Sequence, residues 1–539
     1  MKTFTIKKKY SVIAISVLVC CFIIFVSIEL FSIKKSIEQK HHIMVKDGSG
    51  ENIFTEKEIK SAREIPSMIS TYINKEEKIK TLPSMLFPNH YLKQVETGLL
   101  TSTIYSQNEL LTIFVNNVYF DYGIVGMSTA SAYYLNKSLD KTSKVEQFYL
   151  LAKMEQKKTG NIQEDSQNFL KNLLKKGYLS KEEYTQSTAE MDSLIQSLKG
   201  PHTYAQSYVE QTLWEAEKSL EISESELIRS GYTINTNLNK KIQQTLYTQF
   251  ENKENFPLQE NPQLESGMVI LDHHTGKVLG LMGGREYQKN ALNRASQITR
   301  QPASTFKPLI VYAPAIELGW KPTSILKDVP IRVGGYKPHN FDFLYRKEVS
   351  LQDTVAHSYN VPTVWLLYKI GLDTGLNYIK KFDLFDIDEK DGYKLALGFS
   401  SKGTSPLALA QAYTIFPNGG NMVTAHTINS IRDNKGKLIY KNNVEHKRII
   451  KKHTADEMNA LLRNVVTNGT ANKADLEGEF VAGKTGTTSY DGWFVGYTKK
   501  YTAAVWIGPD AVDPDHKLIL NEGSGGPTTL FHNVIKRLK

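Results

Sequence analysis

Gln301-Pro302-Ala303-Ser304-Thr305-Phe306-Lys307-Pro308 sets a hydroxyl and an amine three residues apart, on one face of a helix. Two further stretches follow it in order: Ser358-Tyr359-Asn360, then Lys484-Thr485-Gly486-Thr487. Each is weak alone. Ser32 to Lys35 and Ser138 to Lys141 repeat the first spacing, and Ser106 to Asn108 repeats the second. The ordered triple at 304, 358 and 484 carries the information, because together the three supply what acyl transfer through a serine ester needs. A serine hydroxyl is a poor nucleophile until a base takes its proton. No histidine motif offers that base, which leaves Lys307. A free lysine is protonated at neutral pH; burial and a second cation nearby lower its pKa. Lys484 is that cation if its strand flanks the helix.

At 539 residues the chain is too long for one ordinary core, so two or three domains are expected. An apolar content of 40% and a charged content of 23% are those of a globular protein. Tyr10 to Ile28 carries no charge until Glu29 and is long enough to cross a hydrocarbon layer about 30 Å thick. Lys2, Lys7, Lys8 and Lys9 precede it and hold the N-terminus in the cytoplasm by the positive-inside rule. No small-residue cleavage site follows, so an uncleaved anchor is expected, with the bulk of the chain outside a bacterial cell membrane. Both cysteines, Cys20 and Cys21, lie in that anchor, which excludes a cysteine nucleophile or a thiolate-bound metal outside it. The net charge of +10 suits an anionic envelope or lipid headgroups, and an anchored exterior domain argues against nucleic acid.

Along the chain, 1–9 reads as a cytoplasmic tail, 10–32 as the anchor and 33–60 as a polar stalk with Gly-Ser-Gly at 48–50. Residues 61–200 are helical in pattern: Leu110, Leu111, Phe114, Val115 and Val118 recur at helical spacing, as do Phe148, Leu150, Leu151 and Met154. A helix ends near Lys175 and another starts at Ser180 with a capping box. Residues 201–265 read as a linker region, holding one amphipathic helix over 202–228, a strand over Gly231 to Leu238 and a helix near Gln243. From 266 to 539 the pattern is α+β. Met268 to Asp272 and Lys277 to Met282 form a hairpin whose turn holds His273 and His274; no second cluster is spaced to join these two in a metal site. A mostly helical stretch follows Lys307, and three strands close the chain near Phe480 to Lys484, Gly492 to Tyr497 and Tyr501 to Ile507. This makes a five-stranded antiparallel sheet with helices on both sides.

The triple, the hairpin at Ser266 to Gly280, Asn340, Leu397-Gly398, Ser405-Pro406-Leu407, Asn468-Gly469-Thr470-Ala471 and Gly492 to Tyr497 resemble the transpeptidase domain of penicillin-binding proteins. The middle motif departs from the Ser-Asp-Asn form but keeps its serine and its amide. The resemblance implies a serine D-Ala-D-Ala transpeptidase that cross-links peptidoglycan stem peptides through an acyl-enzyme on Ser304. It implies backbone N–H groups of Ser304 and Thr487 as oxyanion donors, Ser358 as proton relay and Asn360 as holder of the donor peptide's amide. Lys484, Thr485 and Thr487 would bind the terminal carboxylate, and Gly486 would let the strand approach the substrate. No cofactor and no metal are called for. No Glu-x-x-Leu-Asn follows Asn360, so slow deacylation of β-lactams is expected.

The N-terminal part resembles, more faintly, the glycosyltransferase domain of class A penicillin-binding proteins. Ile65-Pro66, Lys93-Gln94-Val95-Glu96 and Glu109 to Met127 with Tyr133 and Tyr134 carry that likeness. The family's first motif and its GGSTITQQ loop have no counterpart, and Glu76-Glu77 is followed by neither Phe nor His-x-Gly. Glycosyl transfer needs a base over the acceptor hydroxyl and cations on the leaving pyrophosphate. A shortened, degenerate domain is therefore expected, with Glu76, Glu77 and Glu96 as its possible remnants. The alternatives are a bifunctional glycosyltransferase/transpeptidase and a non-enzymatic β-lactam-binding sensor or scaffold. Expected partners are stem peptides and nascent glycan, β-lactams, the cytoplasmic membrane and other cell-wall synthesis proteins.

Overall fold

The computed structural model describes residues 28, 43–55, 62–86, 94, 105–118, 120, 124–135, 137–155, 162–197, 204–228, 230–256, 264–287, 291–511 and 525–538. Apart from Ile28, the anchor expected over 10–32 lies outside the described residues, as does Glu96. Among the described residues, no helix is long and apolar enough to cross a membrane. The chain divides into two compact units: the first draws on 55–201 and 224–232, the second on 45–54, 202–223 and 233–539.

The first unit is helical. Its helices Gln107–Asn117, Met127–Leu135, Lys144–Glu155, Ile162–Lys175 and Lys181–Ser197 enclose a core of Phe114, Phe148, Leu151, Phe169, Leu170 and Met191. The periodic apolar residues at 110, 111, 114, 115 and 118 are all buried. Ser106 and Glu109 form a capping box, and so do Ser180 and Glu183, where each N–H at one end meets the other's side chain.

The second unit is α+β. Its strands in chain order are β1 (Met44–Lys46), β2 (Asn52–Thr55), β3 (Thr233–Thr236), β4 (Glu265–Asp272), β5 (Val278–Met282), β6 (Ile325–Asp328), β7 (Lys347–Ser350), β8 (Asn421–Val423), β9 (Ile428–Arg432), β10 (Leu438–Lys441), β11 (His446–Arg448), β12 (Ala482–Thr487), β13 (Gly492–Tyr497) and β14 (Tyr501–Gly508). The principal sheet runs β12-β13-β14-β4-β5, antiparallel throughout. Every residue of β13 is buried, because helices cover both faces. Phe494 meets Phe531 of helix Gly525–Lys536 edge-on on one face, at 4.9 Å. Tyr497, of opposite parity, stacks on Phe416 and donates to Asn459 Oδ1 on the other.

The two edges of this sheet differ. On β5, outward backbone groups are occupied by side chains. Ser207 Oγ and Gln243 Nε2 donate to Leu281 O at 3.1 and 2.9 Å, Gln243 Oε1 accepts from Leu281 N–H at 2.8 Å, and Tyr208 Oη donates to Val278 O at 2.8 Å. That edge is closed to pairing. At the other end, β12 is the last strand of the sheet among the described residues.

Three stretches fold otherwise than expected. Residues 43–55, inside the expected stalk, form β1 and β2, which complete a second five-stranded sheet in the order β10-β9-β3-β1-β2. Residues 201–265, expected as a linker region, supply helices Gln206–Leu220 and Lys240–Glu251, both packed on β5. The single helix expected over 202–228 breaks at Glu221, in the left-handed region at φ 55°, before the short helix Glu224–Ile228. After Lys307 the expected helices are interleaved with six short strands, β6 to β11.

Candidate active site

Ser304 lies in the first turn of a helical run over 303–317. Ala303–Phe306 winds tightly, Pro308–Tyr312 opens to a π turn, and Ala313–Glu317 is α-helical. Pro308 has no N–H to give to the carbonyl four residues back, and the N–H of Lys307 takes Ser304 O instead. Just before the serine, Ala303 sits in the left-handed region at φ 49°. Gly398, itself at φ +73°, packs on that residue so closely that a Cβ there would lie 2.0 Å from Ala303 O. Tyr413 Oη donates to Thr305 O at 2.6 Å. Neighbours thus hold a backbone conformation that an alanine would not choose alone.

Lys307 is fully buried. Its Nζ faces four acceptors: Ser358 O at 2.7 Å, Asn360 Oδ1 at 2.8 Å, Tyr359 O at 3.2 Å and Ser358 Oγ at 3.3 Å. Burial first, and the neighbouring Lys484 second, push its pKa well below the ordinary lysine value. A neutral amine has two N–H groups and one lone pair. The two shortest contacts use both N–H groups and so fix where the lone pair points. Ser358 follows helix Leu351–His357 in the left-handed region at φ 56°, which turns its carbonyl and hydroxyl toward Lys307. The structure therefore brings Lys307, Ser358 and Asn360 into one hydrogen-bonded group.

Lys484 is also fully buried, on β12 opposite Val495, with Nζ 3.2 Å from Thr485 O. Burial lowers its pKa to about 7. Gly486 brings β12 against the nucleophile turn itself: a Cβ there would lie 2.7 Å from Pro302 O and 3.0 Å from Thr305 Cγ2. Thr487 is exposed at the end of β12. Thr485 is buried, its Oγ1 sharing a hydrogen bond of 2.6 Å with Thr470 Oγ1.

Four residues of this region escaped the sequence reading as site groups. Arg300 Nε donates to Asp491 Oδ1 at 2.6 Å, and Asp491 also accepts from Trp506 Nε1 and Thr488 Oγ1. With Trp493 Nε1 donating to Gln301 O, these bonds clamp the β12–β13 turn to the segment leading into Ser304. Asp328 and Asn340, both buried, stand behind the 358–360 loop. Asn340 carried a family likeness but no role, and no local pattern marks Asp328 or Arg300. Asp491 lies four residues after Thr487, which was the one available signal.

In the first unit, Glu76 follows helix Ser67–Lys75. Its carboxylate accepts from Lys176 Nζ at 2.5 Å and Tyr178 Oη at 2.9 Å, and the Lys176 hydrogen bond leads in holding its pKa below the usual carboxylate value. Glu77, at φ 51°, is exposed and pairs with Lys80. Glu76 and Glu77 belong to the first unit, and Lys307, Ser358, Asn360 and Lys484 to the second.

Residues 266–536 match the family model described as penicillin binding protein transpeptidase domain, and residues 89–176 match the model described as transglycosylase. The chain is 36% identical over 459 residues to penicillin-binding protein 1F of Bacillus subtilis (strain 168), covering 82% of this chain and 63% of that one. It is 31% identical over 493 residues to penicillin-binding protein 2a of Streptococcus pneumoniae, covering 84% and 67%. The chain thus spans about two thirds of the length of these curated relatives. Its fold is similar to the crystal structure of penicillin-binding protein 1A from Haemophilus influenzae, with a TM-score of 0.59 at 18% identity, covering 93% of this chain and 92% of that one. With the transpeptidase model matching just over half of its length, this chain belongs to the penicillin-binding protein family.

Proposed function

We propose that this chain is a serine D-Ala-D-Ala transpeptidase of the bacterial cell wall, anchored by 10–32 with its second unit outside the membrane. The observation that carries the reading is Lys307: a buried, depressed-pKa amine whose hydrogen bonds to Ser358 and Asn360 orient it three residues from a serine in a strained turn. The stem peptide would lie along the outer edge of β12 as an added strand, its carboxylate at Lys484 and Thr487. Lys307 takes the Ser304 proton as Oγ bonds to the carbonyl carbon of the penultimate D-alanine. Charge on the carbonyl oxygen is met by the N–H groups of Ser304 and Thr487. The C–N bond to the last D-alanine breaks, and that amine receives a proton through Ser358. An acceptor amine then attacks the ester, its proton returns through Lys307 to Ser304 Oγ, and a cross-linking amide replaces the bond that was broken. Asn360 gives one lone pair to Lys307 and one hydrogen to His339 O, which leaves one of each for a substrate amide.

β-Lactams enter as acylating analogues of the donor peptide. Purified protein incubated with a fluorescent penicillin is expected to carry the label on Ser304, and Ser304→Ala to carry none. Covalent labelling of Ser304→Ala at the wild-type level would sink the reading. The transglycosylase match over 89–176 favours a second, bifunctional reading. Glu76 held in an ion pair and Glu77 at the surface argue against a working base in the first unit. Incubation with lipid II, scored separately for glycan chains and for cross-links, discriminates the two: cross-links only, on pre-formed glycan, is the expected result.

A further inference from the structure

We propose that Asp328 and Asn340 are positioning residues that fix the backbone at the start of the helix that Asn360 begins and so hold the Asn360 side chain where it orients Lys307. The proposal rests on the transpeptidase reading. Helix Val361–Ile370 opens with Asn360 at its N-cap. Asparagine there ordinarily turns its side-chain oxygen back onto the N–H of the second or third helical residue, in this helix Pro362, which has none, and Thr363. Here it makes no such bond, because Oδ1 accepts from Lys307 Nζ at 2.8 Å. The opening N–H groups still need partners. Asn340, twenty residues upstream, provides one: its Oδ1 accepts from Asn360 N–H and Val361 N–H, both at 3.0 Å.

Asn340 is held for this task from behind. Its Nδ2 donates to Asp328 Oδ1 at 2.7 Å and to Leu344 O at 2.8 Å, so both hydrogens and both lone pairs of the amide are used. Asp328, fully buried at the end of β6, accepts the Arg346 N–H on Oδ2 at 3.1 Å, with the Arg346 guanidinium 3.7 Å away. The carboxylate thus fixes which end of the Asn340 amide faces the helix. Remove Asn340, and the N–H groups of Asn360 and Val361 lose the acceptor that fixes the start of the helix; the Asn360 side chain is then no longer held on Lys307, which loses one of its two short contacts.

The test is the pH dependence of Ser304 acylation by a fluorescent penicillin in the full chain, resolved into a binding constant and an acylation rate. Asn340→Ala is expected to keep the binding constant and lose acylation rate by about 100-fold. Its acid limb should move to lower pH, since an amine with fewer acceptors holds its proton less well. A purely structural role would lower melting temperature and active fraction while leaving that limb in place. Asn340→Asp, which sets a second carboxylate against Asp328, is expected to be slow. The double variant Asp328→Asn/Asn340→Asp exchanges donor and acceptor, with the new amide giving a hydrogen to the new carboxylate and accepting from Arg346, and should recover at least about 10-fold of that loss. Wild-type rate and wild-type limb in Asn340→Ala, or a double variant no faster than Asn340→Asp, overturns the positioning role. A wild type that takes no label at Ser304 overturns the transpeptidase reading instead, and this proposal with it.

Discussion

Lys484 can be read by titration. Its folded pKa of about 7 lies below the unfolded value of about 10.4. Between those values the unfolded chain binds more protons, so wild-type stability rises with pH across that window, and below about pH 7 the full cost of a buried charge is present. Lys484→Met removes that cost. It is expected to melt higher than wild type at pH 6, with the gap closing toward pH 10, by scanning fluorimetry. A gap constant with pH would show that Lys484 is not the titrating group. The same substitution takes a cation away from Lys307, so the acid limb of acylation should move to higher pH. At this scale the sequence was informative where chemistry and spacing coincide: Ser304, Lys307, Ser358, Asn360 and Lys484 announce themselves by type and order. Asp328, Asn340 and Arg300 do not, because their meaning is made by contacts that span from 12 to 191 residues of chain, and a lone buried carboxylate looks like any surface one.

The nucleophile turn depends on pieces far from it in the chain. Gly398→Ala puts a methyl group into Ala303 O and forces a left-handed backbone on alanine. A loss of at least about 2 kcal/mol in urea unfolding is expected, together with slower acylation. Unchanged acylation would mean that Ala303 keeps its conformation without that contact. Element types were legible wherever periodicity was long. The hairpin β4–β5, the closing strands β12 to β14 and the helix Gln107–Asn117 all follow their apolar patterns. The unforeseen strands, β1, β2 and β6 to β11, are three to five residues long and show no clear alternation of their own. Their placement is decided by partners: β8 has β11, and β6 has β7.

For the whole molecule, the second unit is not a simple C-terminal half. It begins with β1 and β2, leaves for the helical unit, and resumes at 202. A chain starting at 202 would therefore keep the acylation site but leave β3 as the outer strand of its sheet. Such a fragment is expected to take penicillin at Ser304 yet melt several degrees lower and aggregate more readily than the full chain, by light scattering. Equal melting and solubility would show β1 and β2 to be dispensable. Length pointed to two or three domains, and motif order placed the expected chemistry in the C-terminal one. They did not indicate that the second unit is split, since the apolar runs Ile43-Met44-Val45 and Ile53-Phe54, on either side of Gly48-Ser49-Gly50, are each too short to name a partner sheet.

That split also sets an order of events. β1 and β2 are made first, but β3 lies about 190 residues downstream, and β9, which pairs with β3, about 190 further on. At synthesis rates of about 5–20 residues per second, the two opening strands wait roughly 10–40 s for a partner and as long again for the sheet to gain its next strand. For that interval they are a short unpaired hairpin, too small to be stable alone. The helical unit, built from local contacts, has the time to form while they wait. The second unit is thus begun by a segment that waits through the making of the helical unit before its sheet can grow.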